Sequence, residues 1–162
     1  LVMAVANKSI IVRSFTEVWE DGQFDDATPS TTTKPGMLVA QYDGGITTGE
    51  DAVALPKYRL NSDVNYPPCI IVEDDLQGKT IDDTIAVGDY IRVKFLQVGE
   101  KYVVYGQPAT AVAVGTLLSP YTDGTVVANS GPGDTAQTLF RAETAVANTD
   151  TDTRLVVRVL RV

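Results

Sequence analysis

Short β-branched runs, each closed by a turn built on Gly, Pro or Asp, recur along the whole chain. Val supplies 22 of the 162 residues and Thr 19, while 13 Gly and 8 Pro break the sequence at short intervals. Two substituents on Cβ restrict χ1, which penalises Val and Thr in a helix and suits them to a pleated sheet. The punctuation is too dense for long helices. The expected fold is therefore all-β, a small antiparallel β-barrel or β-sandwich with an extended N-terminal arm or long loop. No period of about 20 to 50 residues repeats, which argues against a solenoid or propeller.

Strands are expected at residues 9–13, at 37–42 after the Pro35-Gly36 turn, at 57–60, and at 69–73 after Pro67-Pro68. A short segment at 52–55 follows the turn Asp43-Gly44-Gly45. The clearest hairpin spans 91–105. Ile91, Val93 and Phe95 alternate with Arg92 and Lys94, Val98-Gly99-Glu100 turns the chain, and 101–105 returns. Residues 126–128 follow a Gly124 turn. Residues 135–148 fit either a short helix or a strand around Phe140, with the strand preferred beside such neighbours. The closing run 154–162 is apolar on both faces, so it should be central in a sheet or covered by a partner.

Between Glu20 and Pro35 the chain is polar and rich in Asp, Thr and Pro, with Thr28-Pro29-Ser30-Thr31-Thr32-Thr33 offering nothing to a core. It reads as a long loop or arm, which normally needs another surface to lie on. The expected organisation is a strand and arm over 1–35 and a barrel-like domain over 36–162, the two forming one domain if the arm packs back. Residues 1–6 are apolar but short and lack a basic leader, so they are not read as a signal peptide. With Leu1 where an initiator Met would stand, further residues are expected ahead of it. No apolar run is long enough to cross a bilayer as a helix.

Charge and residue inventory narrow the function. The net charge is −8, and it is uneven: residues 1–89 hold 15 acidic against 6 basic side chains, residues 90–162 hold 6 against 7. Phosphate binding needs clustered Lys and Arg, so a nucleic-acid partner is disfavoured. The acidic first half suits a solvated, protruding role and the second half is freer to press against protein. Histidine is absent, which removes the commonest general base, the commonest metal ligand and the His of hydrolytic triads. Cys69 is the sole cysteine, so no intrachain disulfide can form, and it reads as a small core hydrophobe.

Asp25-Asp26, Glu73-Asp74-Asp75 and Asp82-Asp83 are the densest acidic groups. Glu73 and Asp75 could share a face and hold a hard cation, but solvated turns are the simpler reading, since no calcium-loop pattern is present. Gly44-Gly45, Gly49 and Gly131-Pro132-Gly133 lack the Gly-Lys-Ser/Thr of a phosphate loop and read as turns. Seven Tyr could line a carbohydrate platform or simply sit at core rims and interfaces. No catalytic, cofactor-binding or metal-binding residue is assigned.

The second half also carries a recognisable series of pieces. They are Ala111-Val112-Ala113-Val114-Gly115-Thr116-Leu117-Leu118, Gly124-Thr125-Val126-Val127-Ala128, Phe140-Arg141-Ala142-Glu143-Thr144-Ala145 and Leu155-Val156-Val157-Arg158-Val159-Leu160. With Pro35-Gly36-Met37-Leu38-Val39 near the start, the series resembles the capsid decoration, or cement, proteins of tailed viruses. The resemblance implies a non-enzymatic β-barrel-like protein, commonly a homotrimer, on the outer surface of the virion head. Its partner would be the major capsid protein, with no cofactor, direct nucleic-acid contact or membrane. An N-terminal arm adding a strand to a neighbour would fit that role. The interface expected on these grounds comprises Ile10, Val12, Phe15, Trp19, Pro29 and Pro35 from the arm, with Leu155, Val157 and Val159 from the closing strand. The alternatives are a fibre or cell-surface binding module, such as an adhesin or carbohydrate binder, with a Tyr- or Trp-lined pocket, and an enzyme using carboxylates alone.

Overall fold

The β-branched runs become strands, and they sort into two sheets rather than one. A computed structural model describes residues 10–13, 19–26, 32–41, 56–61, 69–74, 78–129, 138–147 and 153–161. Among the described residues run β1 (Ile11–Arg13), β2 (Trp19–Phe24), β3 (Leu38–Gln41), β4 (Lys57–Leu60), β5 (Cys69–Val72) and β6 (Tyr90–Phe95). They continue with β7 (Lys101–Tyr105), β8 (Leu117–Pro120), β9 (Val126–Ala128), β10 (Phe140–Ala142) and β11 (Arg154–Val159). The all-β expectation holds.

Strands β2, β4, β3, β5 and β6 close into a five-stranded barrel. Its ladders are antiparallel except β2 with β4, which is parallel. The other six form a sheet in the order β1-β7-β11-β10-β8-β9. A parallel bridge from Gly106 to Val126 brings β9 back beside the chain that leaves β7, so this sheet curls on itself.

Each unit has its own core. Phe24, Val39, Tyr58, Cys69, Ile71, Ile91 and Val93 are among the side chains clustered in the barrel. Tyr102, Val104, Leu118, Phe140, Leu155, Val157 and Val159 cluster in the curled sheet, joined by Leu38, Ile70 and Val72 from the barrel strands. Successive residues of a strand point to opposite faces. β5 is therefore buried on both, with Cys69 and Ile71 in the barrel and Ile70 and Val72 against the second core. That is why Cys-Ile-Ile-Val reads as an unbroken apolar run.

The hairpin expected over 91–105 does not form. β6 pairs with β2 and β5 in the barrel, whereas β7 pairs with β1 and β11 in the curled sheet. The turn at Gly99 carries the chain from one unit to the other. The alternation of β6 also misleads, since Phe95 is exposed and Lys94 is fully buried. Lys94 Nζ lies 3.2 Å from Glu100 Oε1, both side chains being wholly buried, and the Tyr102 hydroxyl donates to the other Glu100 oxygen. A buried charge needs such a partner. This polar link spans the crossover itself.

The polar stretch 20–35 is only partly a loop, because Trp19–Phe24 is a barrel strand between β4 and β6. Gly22 makes this possible. A Cβ there would stand 2.5 Å from Tyr58 Cε2 and 2.9 Å from the Pro56 carbonyl oxygen, so the Tyr58 ring lies where a side chain would go. Thr33 bridges to Ile85, tying the end of the stretch down as well. The closing strand β11 is central between β7 and β10, as its two apolar faces require. Phe140–Ala142 is the strand beside it, not a helix. The segment 52–55 and the turn at 43–45 lie outside the described residues.

Candidate interaction surface

Five of the nine side chains expected at an interface are spent inside the chain. Leu155, Val157 and Val159 alternate along β11 into the curled-sheet core, Ile10 joins the same core, and Pro35 is buried at its turn. Their burial serves the fold of the chain itself. Trp19 alone of the set is shown exposed. Val12 lies in β1, and Phe15 and Pro29 lie outside the described residues.

Trp19 stands in a strip that the sequence did not single out. The β2–β6 register sets Trp19 opposite Lys94, Asp21 opposite Arg92 and Gln23 opposite Tyr90. Facing residues of a ladder share a side, so these alternate positions all point outward from the barrel. Lys94 is covered by the second unit, while Trp19, Asp21 and Tyr90 remain exposed. The Arg92 guanidinium carbon is 5.6 Å from the Trp19 ring centre, its Nε 3.2 Å from Asp21 Oδ1 and its Nη1 3.6 Å from Asp74 Oδ1. A cation over an aromatic face and between two carboxylates fixes the strip before any partner arrives. The available signal was parity: Tyr90 and Arg92 lie on the β6 face opposite Ile91 and Val93.

A second feature lies on the curled sheet. Lys101 faces Arg158, Arg158 faces Arg141, and Arg141 faces Leu117, forming one row across β7, β11, β10 and β8. Arg13 of β1 occupies the next register position, opposite Lys101. The Glu143 carboxylate gathers the row, with Lys101 Nζ at 2.9 Å, Arg158 Nε at 3.0 Å and Arg141 Nη2 at 3.1 Å. Donation from Lys101, then from Arg141 and Arg158, holds the Glu143 carboxyl down at about 2. One carboxylate among three cations leaves the row positive in an acidic protein.

The acidic clusters are occupied with structure. Asp83 accepts the Thr80 backbone N–H at 2.6 Å and its hydroxyl at 2.8 Å, which lowers its carboxyl from the ordinary range. Asp89 is lowered by the Ala86 N–H and by Lys79. Asp82 meets Arg154 at 2.5 Å, Asp25 meets Lys57 at 3.5 Å, and Asp26 accepts the Leu60 N–H. Glu73 accepts the Ile10 N–H, and Asp75 lies outside the described residues. Among the described residues no three potential metal ligands gather. Cys69 is buried in the barrel, and burial, with the Glu20 charge, pushes its thiol up to about 12. A thiol so protonated is not a nucleophile. Tyr58, Tyr102 and Tyr105 are core residues, while Tyr90 and Tyr121 are exposed.

No family model matches the chain, and no curated protein matches it. Among solved structures, the head fiber gp8.5 N base of bacteriophage phi29 superposes with a TM-score of 0.52. The match covers 88% of this chain and 92% of that one, at 13% identity. The fold resembles that head-fibre base. At this identity the likeness is one of architecture, and it takes in nearly the whole of both chains.

Proposed function

We propose that the chain is a non-enzymatic structural component of a phage head, carried on the outer surface of the capsid. There it binds the major capsid protein as a decoration or cement module and acts as a homotrimer. The observation that carries this reading is the fold likeness to a phage head-fibre base over almost the full length of both chains. The decoration-protein resemblance of the second half points the same way. A net charge of −8 suits a surface turned away from packaged DNA. The missing histidines and the buried, protonated Cys69 thiol support a role without catalysis.

A second reading, a fibre or cell-surface binding module, draws on the exposed Trp19 and Tyr90 with Arg92 between them on the barrel. Flat aromatic and polar strips of that kind can stack on a sugar ring. Immunogold labelling with antibody raised against the purified chain separates the two. Dense, regular label over intact phage heads is expected. Label on cells, with none on heads, would favour the second reading and sink the first.

A further inference from the structure

The charge imbalance of the sequence maps onto the two units. Residues 19–95, which hold every barrel strand, carry 14 acidic and 6 basic side chains, and residues 96–162 carry 6 and 5. The outer face of the curled sheet carries the Glu143-gathered cations, with exposed Leu117 at the end of the row. The outer face of the barrel carries exposed Trp19, Asp21 and Tyr90. The two faces are chemically complementary. Arg pairs with carboxylate and stacks on aromatic rings, and Leu117 adds apolar area beside them.

We propose that a second copy of this chain is the partner of both faces. The Leu117–Arg141–Arg158 row of one copy docks on the Trp19–Asp21–Tyr90 strip of the next. This rests on the homotrimer reading and deepens it by naming the contact. Because the faces differ, the contact is heterologous, the type that closes into a ring when the rotation permits. Both faces are already ordered by their own ion pairs. Arg141 and Arg158 are held by Glu143, and Asp21 and Trp19 by Arg92, so little side-chain ordering remains to be done on binding. Charge across the contact steers the encounter and rejects like faces.

Trp19 is the chain's only tryptophan, so its emission reports on this contact without a label. Diluting the purified protein at about 50 mM salt should shift the emission to the red as copies separate. At about 500 mM salt, where the Debye length falls to about 4 Å, the separated spectrum should be seen throughout. Sedimentation velocity should follow the same curve. Arg141→Glu and Asp21→Arg should each weaken association at least about tenfold, equivalent to about 1.4 kcal/mol. Combining the two restores an opposite pair and should recover most of the affinity. Far-UV circular dichroism, unchanged in each variant, guards against misfolding. An oligomer untouched by either substitution, or a single change undone by no partner swap, would overturn the proposed contact while leaving the capsid reading intact. A monomer with invariant Trp emission at every concentration would overturn the contact and the trimer together. The head-labelling result depends on neither.

Discussion

Removing the Lys94 ammonium should be among the most damaging single changes in the molecule. Lys94 sits on the outward face of β6, where the curled sheet covers it, 3.2 Å from the equally buried Glu100. At an effective dielectric of about 20 their attraction is about 5 kcal/mol, set against a desolvation penalty of several kcal/mol per ion. The pair is therefore worth little net, but breaking it leaves a buried carboxylate without its counter-charge. Lys94→Met should cost about 3–5 kcal/mol. That is a large share of the roughly 5–15 kcal/mol that holds a domain folded. For a chain of this size it corresponds to a fall in Tm of roughly 6–20 °C. Replacing both ions, Lys94→Met with Glu100→Leu, should recover most of the loss. It leaves the Tyr102 hydroxyl, which donates to Glu100, without that acceptor, at a cost of about 1–3 kcal/mol. Adding Tyr102→Phe should close the remainder. Urea denaturation of the single, double and triple variants reads all three steps. A cost below about 1 kcal/mol for Lys94→Met would refute the reasoning, since only a solvated, surface-like pair behaves that way.

Three further outcomes follow from the same structure. Gly22→Ala should destabilise by about 1–3 kcal/mol in urea, because the new methyl meets the Tyr58 ring and the Pro56 carbonyl oxygen, neither free to move away. Glu143, held at about 2 in the fold, releases its proton more readily folded than unfolded. Its contribution is thus complete above the ordinary carboxylate pKa and is lost as pH falls toward 2, so the thermal stability of Glu143→Gln should vary less with pH between about 5 and 2 than that of the parent. Cys69 should resist a thiol reagent at about pH 8 while the protein is folded and react fully in denaturant. Rapid labelling of the native chain would contradict its burial.

Local features of the sequence specified elements well and their partners poorly. The Val- and Ile-rich runs at 69–72, 101–105 and 154–159 became strands, as did Lys57–Leu60, and the two apolar faces of 154–159 correctly placed β11 inside its sheet. Pairing was another matter. Strand alternation in 90–95 followed by a Gly turn suits a hairpin, but it equally suits a strand that ends one sheet and feeds another. The deciding fact, that Lys94 is covered rather than solvated, is a tertiary one. The 20–24 run reads as a loop because Glu20, Asp21 and Gln23 are polar, yet Gly22 and Phe24 are what the barrel uses. Of the side chains expected at an interface, Trp19 is exposed, while Ile10, Pro35, Leu155, Val157 and Val159 are buried. The exposed strip joins Trp19 to Asp21, Tyr90 and Arg92, which only the β2–β6 register brings together. The cation row likewise joins Lys101, Arg141 and Arg158 across three strands, a grouping that sequence distance conceals.

The central claim is a place on the outside of a phage head, and cryo-electron microscopy of the native particle tests it most directly. Symmetry-averaged density should show a barrel joined to a curled β-sheet, repeated on the exterior of the shell and touching the major capsid protein. Density for this fold confined to the tail, to the head interior, or to no part of the particle would contradict it.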